Sequence, residues 1–261
     1  MTATTIQYIG GPTAVIEIGG LRLLTDPTFD APGVYPVGEW ALVKAVGPAI
    51  AAEGVEAVDA VLLSHDQHPD NFDVAGAAYL SQVPLTLSTR SARQRVGGRV
   101  QALAHWAQTE LLRPDGRPLR ITGVPAQHGP AGSEPIVGEV VGFVLSGEGV
   151  PTVYVSGDNA SLDVVREITE RCGPFDVVVL FAGAAQAPFI PGADLTLGSE
   201  HAAEAAAILG APHVVPLHFE HWSHLTQGRE TLVEAFERAG LSDRLHLLDP
   251  GQSTEDLGGK S

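Results

Sequence analysis

The chain has 261 residues, of which 44% are hydrophobic and 18% charged, and its formal net charge is −16. Length and composition are typical of a compact globular protein with one large domain or two small ones. Binding to nucleic acid phosphates or to an anionic membrane surface requires clustered Lys and Arg, and the sequence has no such cluster. Cys172 is the only cysteine, which excludes an internal disulfide and a cysteine-based metal site.

The first fifth of the chain predicts short antiparallel strands. Residues 4–9 and 13–18 alternate in polarity around Gly10-Gly11-Pro12, which is typical of a hairpin, and residues 21–25 predict a third strand. Residues 29–40 are rich in Pro and Gly and predict an ordered functional loop, followed by a short helix over residues 40–50.

The middle of the chain continues with short strands and helices. Residues 58–63 predict a buried strand, and residues 72–81 predict a helix. The remaining elements predicted here are a strand over 83–88, a helix over 89–96, strands over 99–103 and 119–124, and a hairpin of 136–145 with 151–156.

The last hundred residues alternate between helices and strands. The elements predicted are helices over 161–171, 199–209 and 229–239 and strands over 176–181, 213–217 and 244–248. Ser199 is the expected N-cap of the second helix, and residues 251–261 are expected to form a frayed tail. The pattern predicts one domain over residues 1–261, with two sheets covered by helices.

Candidate ligands follow the ends of four predicted strands. The turn Ser64-His65-Asp66-Gln67-His68-Pro69-Asp70-Asn71 lies between a strand and a helix. His128, Asp158 and His218 each follow another strand. Ligand sites commonly lie at the carboxyl ends of strands, and imidazole with carboxylate suits zinc, iron or manganese. The sequence therefore predicts a metal site, with Zn2+ as the expected ion and Mn2+ or iron as alternatives.

These motifs and their order resemble the metallo-β-lactamase fold superfamily of hydrolases. The resemblance extends to Gly10-Gly11-Pro12-Thr13, Leu23-Leu24-Thr25-Asp26-Pro27, Ser156-Gly157-Asp158 and Val215-Pro216-Leu217-His218. The branch with ascorbate-phosphate lactonases and phospholipase-D-like enzymes is the most similar. The resemblance implies an α/β (α+β) fold, a four-layer αββα sandwich of two mixed β-sheets flanked by helices.

The resemblance also implies a site and a reaction. His65, His68 and His128 would hold one ion, Asp70 and His218 a second, and Asp158 would bridge them. A metal-bound hydroxide would attack an ester, lactone or phosphodiester of a small-molecule substrate. Asp70 would act as a catalytic residue that orients this hydroxide or accepts its proton.

The first motif departs from the family pattern Ser/Thr-His-x-His-x-Asp-His. One alignment inserts a residue and matches His65 and His68, whereas a gapless alignment puts Asp66 in place of the first histidine; the strand ending Leu62-Leu63-Ser64-His65 favours the first. Asn71 replaces the last histidine and is a poor ligand, so the sequence leaves open whether one or two ions bind. The N-cap of the following helix is the favoured role of Asn71.

Further histidines follow His218. His221 and His224 are spaced to share one helical face with it, and we interpret both as pocket-lining or packing residues. His201 is interpreted as a surface residue of a first helical turn, and His105, His213 and His246 as structural.

Two other functions remain open at this point: a non-catalytic ligand-binding protein of the same fold, and a metal-dependent oxidoreductase.

Residues 1–10 lack a signal-peptide pattern, and no stretch approaches about 18 consecutive apolar residues, so a cytoplasmic protein is expected. The sequence is compatible with a homo-oligomer.

Overall fold

The structure is a computed structural model that describes residues 3–258. Its strands are β1 Thr5–Gly10, β2 Thr13–Ile18, β3 Leu21–Thr25, β4 Gly33–Val37, β5 Trp40–Lys44, β6 Ala60–Leu62, β7 Thr86–Ser88, β8 Val100–Ala102, β9 Gln108–Leu112, β10 Pro118–Pro125, β11 Val141–Ser146, β12 Val153–Val155, β13 Val177–Phe181 and β14 His213–Leu217. Its α-helices are α1 Val74–Tyr79, α2 Arg90–Val96, α3 Glu134–Val137, α4 Leu162–Cys172, α5 Ser199–Leu209 and α6 Arg229–Arg238. Single 3₁₀ turns lie at Ala52–Gly54, Leu80–Gln82 and Ser242–Arg244.

Two six-stranded sheets carry the architecture. One has the strand order β1-β2-β3-β6-β7-β8 and the other β14-β13-β12-β11-β10-β9. Each sheet is mixed: β1 to β3 are antiparallel and β3, β6, β7 and β8 parallel, while β9 to β12 are antiparallel and β12 to β14 parallel. Their apolar side chains pack face to face, with Ile16 and Leu62 from one sheet in the same cluster as Phe143 and Val179 from the other.

Helices cover the two outer faces. Val165 and Ile168 of α4 and Phe236 of α6 pack on the outer face of the second sheet. Tyr79 of α1 packs with Val61 on the outer face of the first sheet. The αββα sandwich implied by the resemblance is therefore confirmed. None of the helices within residues 3–258 combines the length and the hydropathy that a membrane crossing requires.

Residues 29–44 differ from the prediction of a loop followed by a helix. They contain a separate two-stranded sheet in which β4 pairs with β5, and Val37 faces Trp40 across a two-residue turn. Gly38 in this turn has φ +61°, as tight hairpins require. The strand also places Lys44 in a buried ion pair with Asp73, 3.1 Å away, which fixes the hairpin against the body of the protein.

The C-terminal expectations were also wrong in part. Residues 244–248 do not form a strand, apart from one bridge between Val214 and Leu245; the carbonyls of Leu247 and Leu248 accept hydrogen bonds from the Arg229 guanidinium instead. The expected frayed tail instead lies along β1, where Leu257 is 2% exposed. It covers an otherwise unpaired sheet edge. Residues 259–261 of that prediction lie outside the described part of the chain.

The backbone of this tail carries ladder-like bonds to β1. The hydrogen bonds are Gly251 N to Tyr8 O, Tyr8 N to Gln252 O, Thr254 N to Ile6 O and Leu257 N to Thr4 O.

Candidate metal centre

Three imidazoles meet at one end of the sandwich. His65 and His68 come from the turn after β6, and His128 comes from the loop after β10; one ring nitrogen of each lies within 4.8 Å of the others. His65 Nε2 and His68 Nδ1 are 3.0 Å apart. This geometry is a three-histidine cluster of the kind that holds a divalent cation.

A second cluster lies beside the first. Asp70, from the same turn, meets His218 at the end of β14 and His224 from the loop that follows. Asp70 Oδ2 is 3.3 Å from His218 Nε2 and 2.9 Å from His224 Nε2. The sequence predicts Asp70 and His218 at a common site, whereas it favours a pocket-lining or packing role for His224.

Asp158 lies between the two clusters. Its Oδ2 is 3.6 Å from His128 Nε2 and 3.9 Å from His65 Nε2, while its Oδ1 is 3.7 Å from His218 Nε2. Gly157 permits this placement, since it has φ +58° and a Cβ there would stand 2.9 Å from Ser64 Cβ. One carboxylate thus faces both sets of imidazoles, and the structure brings together all six residues that the sequence selected.

Buried polar atoms of the second cluster and of Asp158 are left without hydrogen-bond partners within residues 3–258. They are Asp70 Oδ1, Asp158 Oδ2, His224 Nδ1 and both ring nitrogens of His218. Leaving a buried polar atom unpaired costs about 1–3 kcal/mol. Since these atoms are ligand types suited to zinc, iron or manganese, the residues present fit bound cations.

Outer groups orient the first cluster. His128 Nδ1 lies 2.8 Å from the carbonyl oxygen of Leu195, which accepts its proton and leaves Nε2 free. Ser64 Oγ, 3.0 Å from His65 Nδ1, donates at 2.6 Å to the buried Asp26 carboxylate. Such outer hydrogen bonds fix the tautomer of a ligating imidazole and raise its basicity.

Asp26 is itself unusual. Burial raises its pKa to about 7, although hydrogen bonds from Ser64 and Asn71 act in the opposite direction. Asn71 Nδ2 donates to Asp26 Oδ2 and to Asp158 Oδ1, both at 3.2 Å. Asn71 therefore holds two buried carboxylates, whereas the predicted N-cap role is wrong because Asp73 caps α1 by accepting from Gly76 N.

Asp66 does not join the centre. Its carboxylate forms an ion pair with Arg95 on α2, with hydrogen bonds at 2.5 and 2.8 Å. This geometry favours the alignment that inserts one residue and assigns His65, not Asp66, to the first histidine position.

The segment 218–224 is not helical, so the three histidines do not share the single face that helical spacing would give them. His218 and His221 adopt left-handed backbone angles, with φ +53° and +77°, and each reverses the chain. His221 consequently packs near Tyr8, while His224 turns back toward Asp70. The equal spacing of the three histidines was a signal for a shared site, but only their backbone angles decide which two meet. His201 is exposed, as expected.

Two imidazoles of the first cluster, His65 and His68, have lowered pKa values. Burial, reinforced by His128, lowers the pKa of His68 to about 4. Burial, with His68 and His128, holds the pKa of His65 well below its usual value. Both imidazoles therefore keep a lone pair for a cation at pH values where a free imidazole is protonated.

His221, which lies outside the two clusters, gives a prediction for the pH dependence of the free energy of unfolding. Burial, with the nearby Lys44 cation, lowers its pKa to about 4 in the folded state, against an ordinary value of ~6.5. Between these values the unfolded chain binds more protons, so this residue's contribution to the free energy of unfolding falls as the pH is lowered from ~6.5 toward 4. The free energy of unfolding of chelator-treated wild-type protein should therefore fall by about 2 kcal/mol more than that of His221→Asn between pH 7.0 and 4.5, as measured by urea unfolding. Equal losses in the two proteins would contradict this assignment.

A family model described as beta-lactamase superfamily domain matches residues 21–219. A UPF0173 metal-dependent hydrolase from Thermococcus kodakarensis is 30% identical over 254 residues, covering 96% of this chain and 98% of the relative. For four other relatives of the same description, the matched region spans about half of their length, between 47% and 55%.

Solved structures share the fold at lower identity. A protein from Veillonella parvula, described as a possible metal-dependent hydrolase, has a TM-score of 0.82 and 17% identity, with 97% of this chain and 100% of that chain covered. An isothiocyanate hydrolase from Delia radicum gut bacteria has a TM-score of 0.79 and 23% identity, with 97% and 99% covered. The family model over residues 21–219 and the full-length relative from Thermococcus kodakarensis show that the chain belongs to the metal-dependent hydrolases of the beta-lactamase superfamily.

Proposed function

We propose that this chain hydrolyses an ester, lactone or phosphodiester bond of a small-molecule substrate with two divalent cations, and that zinc is the resident metal. The observation that carries the proposal is the position of Asp158 between two ligand clusters. A single carboxylate facing both clusters is the arrangement that a two-ion site requires. Manganese and iron are the alternatives for the same ligand types.

The ligand assignment follows the two clusters. His65, His68 and His128 would hold one ion. Asp70, His218 and His224 would hold the other, and Asp158 would contribute to both. His224 supplies the second site with the imidazole that the first motif lacks at Asn71, so we propose two ions and not one.

When bound, such cations polarise the bond to be cleaved and lower the pKa of a coordinated water from 15.7 toward ~7. The chain's own residues prepare the site for this chemistry. Burial would raise the pKa of Asp70, but the adjacent His224 and His218 hold it well below its usual value. Asp70 is therefore ionised at neutral pH, and its unpartnered Oδ1 can accept a hydrogen bond from the attacking water and orient it.

Hydrolysis is favoured over the two other functions considered. Relatives that match along the whole chain are described as metal-dependent hydrolases, and the ligand set is complete despite Asn71. A diiron β-hydroxylase from Streptomyces venezuelae shares the fold with 15% identity, but that level of likeness supports the architecture alone.

Metal analysis and a substrate panel test the proposal. We expect protein purified without chelators to contain close to two metal ions per chain. It should cleave at least one of 4-nitrophenyl acetate, a γ-lactone and bis(4-nitrophenyl) phosphate, and His128→Ala should abolish that activity. Less than about 0.5 metal per chain with no uptake of added zinc or manganese, or unchanged turnover in His128→Ala, would refute it.

His224→Ala tests the second site separately. Removing this imidazole takes one ligand from the Asp70 cluster and leaves the three-histidine cluster intact, so bound metal should fall from about two ions per chain to about one. Inductively coupled plasma mass spectrometry after gel filtration gives the stoichiometry. His221→Asn is the matched control from the same loop and should retain both ions. Retention of two tightly bound ions in His224→Ala would remove His224 from the ligand set.

A further inference from the structure

A narrow cavity opens onto both ligand clusters. His68, Asp70, His128 and His224 form its floor. The space that the centre of a water-sized sphere can occupy is only about 20 Å³, room for about one water molecule and well below the range for ligand pockets (~300–1,000 Å³). The part of a substrate that lies next to the cleavable bond must therefore be compact.

The walls of this cavity are apolar. They comprise Val37, Trp40, Leu42, Ala187, Phe189 and Leu195. No Lys or Arg among residues 3–258 lines the space. Lys44, two residues after Leu42 on β5, is committed to its buried pair with Asp73. A negatively charged substituent held against these walls would lose its hydration without gaining a cationic side chain as a partner.

Two aromatic side chains meet above the floor. Trp40 comes from the β4–β5 hairpin and Phe189 from the loop after β13; their ring centroids are 5.9 Å apart in an edge-on arrangement. Trp40 also lies edge-on to the His224 ring, at 6.2 Å. Phe189 is 38% exposed, which places it at the rim. The two rings are in direct contact, so an apolar group that enters past this rim would contact aromatic surface while the adjoining bond faced the clusters.

We propose that the cavity selects uncharged substrates with a compact apolar group beside the cleavable bond, and that Trp40 and Phe189 determine this specificity. The inference rests on the proposed hydrolysis for its biological meaning and narrows it toward neutral esters and lactones, away from phosphodiesters. The recognition step itself depends only on the cavity walls, and it can therefore be measured without turnover.

Binding of two matched probes tests the recognition step. Phenylacetamide and 4-carboxyphenylacetamide differ by one carboxylate, and their affinities for the zinc-loaded full-length chain can be measured by NMR titration. We expect phenylacetamide to bind at least about 10-fold more tightly. Trp40→Ala should weaken its binding at least about 5-fold, and Trp106→Ala should leave it unchanged, because Trp106 stacks on Arg171 outside the cavity.

A charge at the rim should invert the preference. Phe189→Lys places a cation at a partly exposed position that can accommodate it, so 4-carboxyphenylacetamide should become the tighter ligand by at least about 5-fold. Equal binding of both probes by the wild type, no binding of either, or an unchanged preference in Phe189→Lys would overturn the proposal.

A kinetic comparison separates this inference from the reaction itself. 4-Nitrophenyl acetate and 4-nitrophenyl hydrogen succinate share a leaving group and differ in the charge on the acyl side. We expect at least a 10-fold higher kcat/KM for the acetate. Equal cleavage of both esters would retain the hydrolase and reject the specificity. Selective binding of phenylacetamide without cleavage of either ester would support the cavity and count against ester hydrolysis.

Discussion

Asp158→Asn is expected to remove most of the bound metal and to lower kcat/KM by at least about 10³-fold, equivalent to about 4 kcal/mol of barrier. The carboxylate is 1% exposed and lies within 4 Å of His65, His128 and His218. The substitution keeps the side-chain volume but removes the negative charge of a carboxylate that faces both clusters. Metal content and kcat/KM on any substrate cleaved by the wild type give the measurement.

Asp66→Asn is the matched control for this experiment. Asp66 lies on the same turn as His65 and His68, but its carboxylate pairs with Arg95 and not with either cluster. We expect wild-type metal content and activity within about 3-fold. The reverse result, with Asp66→Asn depleted of metal and Asp158→Asn fully loaded, would support the gapless alignment and contradict the centre described above. Circular dichroism of both variants would exclude unfolding as the cause.

Asp73→Ala is expected to lower the free energy of unfolding by about 3–5 kcal/mol. The Asp73 carboxylate is fully buried and pairs with the buried Lys44 ammonium. It also accepts hydrogen bonds from the backbone N–H groups of Phe29, Asp30 and Gly76. Truncation leaves Lys44 without its carboxylate and removes the N-cap of α1. Urea unfolding at pH 7 measures the loss.

A double-mutant cycle separates the ion pair from the cap. Lys44→Met fills a similar volume without a charge, so Lys44→Met/Asp73→Ala should be more stable than Asp73→Ala alone, with a coupling free energy of about 1–3 kcal/mol. Asp73→Ala removes the cap and the backbone hydrogen bonds whether residue 44 is Lys or Met, so these contributions cancel in the coupling free energy. A loss below about 1 kcal/mol in Asp73→Ala would show that the β4–β5 hairpin does not depend on this pair.

Local sequence patterns identified most of the residues in the two clusters, but not all of them. The six residues at four predicted strand ends converge in the structure, because buried strands of two packed sheets bring their polar end residues to one end of the sandwich. Ser64 to Asp70 could be interpreted from sequence because a strand-to-helix turn directs nearby side chains to one point. His224 could not, since its direction depends on the left-handed angles of His218 and His221, which periodicity does not report.

Several features needed long-range contacts to be recognised. Asn71 resembles a helix N-cap locally, but its partners Asp26 and Asp158 lie 45 and 87 residues away in sequence. The segment 251–257 resembles a frayed tail, but it is held by the edge of β1. Residues 40–44 form a strand because β4 pairs with them and Asp73 neutralises Lys44.

The sequence by itself determined most strands of the two large sheets, most of the helices and the chemistry of the ligands, since apolar periodicity and residue type act within a few positions along the chain. Only the tertiary structure decided that His224 completes a second cluster, that Asp66 stays outside both clusters, and that apolar side chains line the cavity above them. Those outcomes depend on where distant segments meet and on how each backbone turn directs its side chain, and both are properties of the folded chain alone.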